Sequence, residues 1–178
     1  MTTPIPKRPV LGRRPVASQW PEFESLDQAH QAALQMLASF RHLLTRLQDQ
    51  GLDEPARQSA REILTFYDGP GRHHHQEEEC KVFPGLLASS DLELVGHVRR
   101  LQQDHGWLEQ DWFELQPHVL AVAQGYNGYD LPLLVAALPV FDALYRDHIA
   151  LEESVVYPAA KRQKAALHAS PSGHPQVQ

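Results

Sequence analysis

The stretch His74-His75-Gln76-Glu77-Glu78-Glu79-Cys80-Lys81-Val82-Phe83-Pro84 returns later in the chain as His148-Ile149-Ala150-Leu151-Glu152-Glu153-Ser154-Val155-Val156-Tyr157-Pro158. Both copies read His-x-x-x-Glu-Glu-x-x-x-aromatic-Pro. Residues four apart on an α-helix lie about one turn apart on the same face. Each copy therefore turns one imidazole and one carboxylate to one side. Two such helices facing each other place two His and two Glu around one point, which suits a pair of metal ions. The repeat reaches further, because His30 precedes His74 by 44 residues and His105 precedes His148 by 43. Each half of the chain reads as a helix with one His, a connection, and a helix with His-x-x-x-Glu. Two such hairpins predict an all-α, up-down four-helix bundle with ligands converging from all four helices.

The helix signals agree with that frame. Ser25-x-x-Gln28 has the form of a capping box and predicts a helix start at Ser25. Leu26, Ala33, Leu34, Leu37, Phe40, Leu44 and Leu47 then recur at helical spacing, with His30 on the same stripe and His42 off it. Gly51 ends this helix, and Asp53 caps the next, with Pro55 in its first turn. Asp68-Gly69-Pro70-Gly71 kinks or breaks that second helix just before its motif. Ser90-x-x-Glu93 predicts the third start, followed by a stripe of Leu94, Val98, Leu101, His105, Leu108, Trp112 and Leu115. Pro117 is expected to kink or end this helix, and Gly125 to terminate its continuation. Asp130 caps the last helix, Pro132 sits in its first turn, and Pro139 bends it. Its inner face runs through Leu134, Leu138, Phe141, Leu144, Tyr145, His148, Glu152, Val155 and Val156. Tyr145, one turn before His148, reads as a core aromatic close to the metal position.

The candidate ligands are His30, His74, Glu78, His105, His148 and Glu152. His75 is a seventh candidate, since it lies three residues before Glu78 and could reach a second metal. His73 reads as solvent-facing. Glu77, Glu79 and Glu153 read as a solvated face, the exception being a carboxylate that orients a ligand imidazole. Cys80 reads as a packed or half-buried thiol. Imidazole and carboxylate donors suit iron, zinc or manganese better than copper(I) or calcium. No Glu has a His three residues later, unlike ferritin-type di-iron sites, and there is no His-Glu-x-x-His.

These motifs resemble the hemerythrin-like HHE cation-binding domains of bacteria, over roughly residues 22 to 165. The resemblance implies that the six residues bind two iron ions, oxo- or hydroxo-bridged, with Glu78 and Glu152 spanning both. It also implies a small diatomic ligand, dioxygen or nitric oxide, or peroxide, at an open coordination position. Oxygen-carrying hemerythrins place two His one turn apart on the third helix, whereas this chain has Leu101 one turn before His105. The leading reading is thus a di-iron protein that binds or senses dioxygen or nitric oxide. A di-iron enzyme or repair factor handling peroxide or damaged iron centres is the second, and a zinc-binding or metal-free structural bundle the third.

A length of 178 residues fits one domain. Residues 1–21 read as an extended arm, rich in Pro and Arg, residues 22–165 as the bundle, and 166–178 as a disordered tail. A formal net charge of −6 argues against nucleic-acid and anionic-membrane partners. A single cysteine excludes an internal disulfide framework. With no apolar run of spanning length and no apolar leader, the expected location is cytoplasmic.

Overall fold

In the computed structural model, which describes residues 20–169, apolar stripes at helical spacing drive four long rods together. The first rod is α1, Phe23–Asp49. The second is built from α2 (Glu54–Asp68), α3 (Pro70–Glu77), a π-helical turn (Glu78–Val82) and α4 (Phe83–Leu87). The third is α5, Leu92–Gln124, and the fourth joins α6 (Leu131–Leu151), a second π turn (Glu152–Val156) and α7 (Tyr157–Ala169). Short connections make consecutive rods antiparallel. α1 packs on α2 and α6, and α5 packs on the same two, so the rods form a ring around a shared interior. No strand occurs among the described residues.

Two apolar clusters fill that interior. One contains Leu37, Phe40, Ile63, Tyr67, Leu115, Val119, Leu138 and Phe141. The other contains Leu26, Val82, Phe83, Leu86, Val98, Leu101, Val156 and Tyr157. Each fully buried Leu or Phe contributes about 1.5–3 kcal/mol by leaving water. The two clusters are separated along every rod by a band of His and Glu. On α1 the sequence Leu26, His30, Ala33 passes from one cluster to the other through the band, and on α5 Leu101, His105, Leu108 does the same.

The helix ends show where local signals hold. Asp53 accepts a hydrogen bond from Ala56 N–H at 2.9 Å and is gripped by Arg46, so the second start is capped as expected. Asp130 likewise accepts from Leu133 N–H at 2.9 Å. Gly51 and Gly125 take φ of 75° and 81°, the left-handed conformation that stops α1 and α5. Two starts differ from expectation. α1 begins at Phe23 after Glu22, with no side-chain cap, so the Ser25 box lies inside the helix. The third start is capped by Asp91, whose carboxylate accepts from Glu93 and Leu94 N–H, both at 3.1 Å. Aspartate there supplies the oxygen that Ser90 was expected to give. Pro117 neither ends nor interrupts α5, which runs on to Gln124.

Gly69 breaks the second rod. Pro70 has no N–H and its ring excludes the normal helical path. A Cβ at Gly69 would lie 2.9 Å from the Thr65 carbonyl oxygen, so only glycine fits. Further along, α7 continues to Ala169, past the point at which a tail was expected. The arm as far as residue 19 and the tail from residue 170 lie outside the described residues. No described helix is long and apolar enough to cross a membrane.

Both π turns fall inside the repeated motif, and the motif explains them. The rings of Pro84 and Pro158 would strike the carbonyls four residues back. The helix widens instead, and Phe83 N–H bonds to the Glu78 carbonyl while Tyr157 N–H bonds to that of Glu152. On an α-helix a residue five positions on lies about 140° away around the axis. The wide turn takes up the extra residue and brings Phe83 and Tyr157 back over the band. Cys80, two residues after buried Glu78, is turned outward and is exposed, contrary to the packed or half-buried thiol expected.

Candidate metal centre

All seven residues singled out in the sequence meet in the band. His30, His74, His75, Glu78, His105, His148 and Glu152 are buried, the two carboxylates completely. Their donor atoms form overlapping groups. His30, His74, Glu78 and Glu152 each place one donor within 4.8 Å of the others. Glu78, His105, His148 and Glu152 do the same, and so do His75, His105 and His148. Glu78 and Glu152 belong to both of the four-residue groups.

The break at Gly69 restarts the helix so that His74 and His75 both face inward, while His73 is exposed. His75 has no counterpart in the second copy, where Ile149 follows His148. It brings a third imidazole to the His105 and His148 side, the side where Leu101 leaves α5 with one His.

Carboxylates from the opposite half hold the two lone-His rings. His30 Nδ1 donates to Glu153 Oε1 at 3.0 Å, and His105 Nδ1 donates to Glu79 Oε1 at 3.1 Å. Gln102 Nε2 fixes the other oxygen of Glu79 at 2.7 Å. Of the three acids expected to face solvent, Glu79 and Glu153 thus take the exceptional role, and Glu77 pairs with Lys81 at the surface. The arrangement fixes the ring orientation and leaves Nε2 facing inward. The repeat phase could have revealed it, since the acid after each cluster Glu lies 100° round the helix, toward the neighbouring rod.

Aromatic rings cover the same two imidazoles. Tyr157 stacks on His30 with centroids 5.3 Å apart, and Phe83 stacks on His105 at 5.6 Å. The Tyr157 hydroxyl donates to Glu78 Oε1 and lies 3.2 Å from His30 Nε2. Tyr145 is buried, with its ring 5.7 Å from that of His75. Asp104, overlooked in the sequence, is buried with Oδ2 3.9 Å from His148 Nδ1. Its only signal is its place beside His105.

Burial sets the protonation of the cluster. It pushes the His74 imidazole down to about 4, and His75 falls well below the usual range through burial and the neighbouring imidazoles. Both rings are therefore neutral, the form that ligates. Burial also opposes a charge on His30, but Glu152, Glu153 and Glu78 outweigh it and raise its pKa. Burial and repulsion by Glu78 drive the Glu152 carboxyl well above the carboxylate range. Burial acts on Glu78 too, but it is outweighed, first by His105, whose Nε2 lies 3.4 Å from Oε2, and the Glu78 pKa falls below the usual carboxylate range.

A test of fit lies in the unsatisfied atoms. Both nitrogens of His74 and of His148, Nε2 of His75 and of His105, Oε2 of Glu78 and both oxygens of Glu152 are buried without a well-formed hydrogen bond, although Glu152 Oε2 lies 3.0 Å from His30 Nε2 and 3.2 Å from His148 Nε2 as an ion-pair contact. Each unpaired buried polar group costs about 1–3 kcal/mol. Such a concentration is not a stable core by itself, and cations coordinated by these lone pairs would satisfy them. The donor set of imidazoles and carboxylates fits iron, zinc or manganese. Residues 22–160 match the family model described as the hemerythrin HHE cation binding domain. No curated protein and no solved structure matches the chain.

Proposed function

Because the chain belongs to the hemerythrin HHE cation-binding domain family, we propose that it is a cytoplasmic non-haem di-iron protein that binds or senses dioxygen or nitric oxide. The observation that carries this reading is the pair of overlapping donor groups, sharing Glu78 and Glu152, in which many buried donor atoms make no hydrogen bond within the protein. His30 and His74 would hold one ion, and His105, His148 and His75 the other, with Glu78 and Glu152 between them. An iron pair held there would supply redox-active cations to which a small diatomic molecule would coordinate.

The rest of the chemistry belongs to the chain. Glu153 and Glu79 hold the His30 and His105 rings with Nε2 inward. The Tyr157 hydroxyl donates to Glu78 and fixes which of its oxygens stays free. Val82, Leu101 and Val156 on one side and Leu37 and Leu108 on the other flank the band with apolar side chains. A low-dielectric surround strengthens the charge interactions of the groups buried within it.

Metal analysis with an absorption spectrum tests the reading. Aerobically purified protein is expected to hold about two irons per chain. Its spectrum should change on reduction and again on exposure to dioxygen or nitric oxide, with no steady-state consumption of peroxide. Tightly held zinc with no redox response would refute it, and sustained peroxide turnover would replace binding with catalysis.

A further inference from the structure

The rods do not present the same kind of surface to water. On α1 every exposed side chain is polar, from Glu24 and Gln28 through Gln35 to Thr45 and Gln48. α6 does the opposite. Between Leu131 and Phe141 it has no polar side chain at all. Leu134, Leu138 and Phe141 are buried in the bundle, yet Leu133 is 37% exposed and Val140 64%, with Ala136 and Ala143 also exposed. A helix that is apolar all round is normally buried all round. Crossing a bilayer takes about 20 apolar residues, more than this stretch has, so a protein surface is the fitting cover.

The exposed positions are ordered. Leu133, Ala136, Val140 and Ala143 follow at steps of three, four and three, the spacing of a seam between two packed helices. Trp107 of α5, 54% exposed, stands one turn from Asp104, which faces His148 of α6, and so extends the apolar surface along that flank.

The order of sizes along the seam selects what packs on it. A two-fold axis perpendicular to α6, midway between Ala136 and Val140, lays a second α6 antiparallel on the first. It sets Leu133 opposite Ala143 and Ala136 opposite Val140, because the members of each pair are equidistant from the axis. Every layer then joins a large side chain to a small one, which lets the two faces interdigitate without voids. The same four residues supply both sides, the self-complementarity of an isologous contact. A parallel pairing would set Leu133 on Leu133 and Ala136 on Ala136, alternating crowded and empty layers. In the antiparallel one, Asp147 at the end of the seam falls beside Tyr129 and meets no like charge.

We propose that the outer face of α6 docks a second copy of this chain, packed antiparallel about a two-fold axis through the seam of Leu133, Ala136, Val140 and Ala143. The proposal does not rest on the di-iron reading, because none of the four is a candidate ligand or holds one.

Sedimentation velocity of the full, metal-loaded chain over about 1–500 μM tests it, a range that covers weak protein–protein affinities. Wild type is expected to pass reversibly from monomer to dimer. Val140→Glu should weaken association at least about a hundredfold, because it buries an unpaired charge, and Ala136→Lys should do the same. Mixing the two variants should restore a dimer, since the axis sets position 136 of one chain opposite position 140 of the other. Gln35→Glu, on the polar face of α1, is the control and should leave association unchanged. Helicity and metal content are measured on every sample, so lost association is distinguished from lost fold and from a failure of the metal assignment. A wild type that stays monomeric throughout, a dimer that survives Val140→Glu, or two variants that stay apart when mixed overturns it.

Discussion

Replacing Glu79 by alanine removes a carboxylate that touches no metal position yet holds the His105 ring. Three consecutive acids permit an internally controlled experiment: Glu77 pairs with Lys81 at the surface, Glu78 lies in the cluster, and Glu79 bonds His105 Nδ1 at 3.1 Å. Loss of a carboxylate behind a metal-bound imidazole lowers metal affinity about 10- to 100-fold, or about 1.4–2.7 kcal/mol. Glu79 is fixed from its other side by Gln102 at 2.7 Å and is a third exposed, whereas Glu153 is half exposed. The looser carboxylate gives up less preorganisation. Glu79→Ala should therefore fall near the upper end of that range and Glu153→Ala near the lower. Competition of each variant against a graded chelator, with iron read by absorption, measures the affinities. Glu79→Gln should recover part of the loss, since its amide oxygen still accepts from Nδ1–H. If Glu79→Ala holds metal as tightly as Glu77→Ala, the orienting role is wrong.

Alanine at Glu78 or Glu152 removes the shared carboxylate, and metal content is expected to fall from about two towards about one per chain by elemental analysis. Removing the metal with a chelator should lower the thermal midpoint by roughly 5–10 °C, because saturation at about 100 times the dissociation constant stabilises by about 2.7 kcal/mol. An unchanged midpoint in demonstrably metal-free protein would count against this. Asp53 has its carboxyl held down to about 2, first by the Arg46 hydrogen bonds and then by the Ala56 N–H. The unfolded chain takes up that proton at higher pH than the folded one. Stability from this cap is thus full above the ordinary aspartate value of 3.8 and is lost as pH falls towards about 2. The stability advantage of wild type over Asp53→Asn, followed by circular dichroism, should shrink across that window.

Rod count, order and the convergence of His30, His74, His75, Glu78, His105, His148 and Glu152 were legible because each depends on periodicity alone. A 3.6-residue period with polar residues interrupting an apolar stripe says which residues share the interior, whatever the details of packing. Features that depend on neighbouring rods were not legible. Glu79 and Glu153 read as part of an exposed charge run because the imidazoles they hold are distant in sequence, and Asp104 was missed for the same reason. Starts at Ser25 and Ser90 were misplaced where a cap was matched to a pattern while chain entry was set by Phe23 packing on Tyr157 and by Asp91. The π turns had a visible cause in Pro84 and Pro158, but only the three-dimensional path shows that the helix widens instead of ending.

His75 facing Ile149 and Phe83 facing Tyr157 are the places where the two copies of the motif part company around the cluster. One donor group has His30 and His74 with a phenol hydroxyl at its edge, and the other side has three imidazoles beside a plain phenyl ring. Ions held there would not leave together. With two ions bound, the one at the nitrogen-poor group would leave first, so chelation should proceed in two kinetic phases. The half-emptied protein would then be a single defined species, its remaining ion on the His75 side.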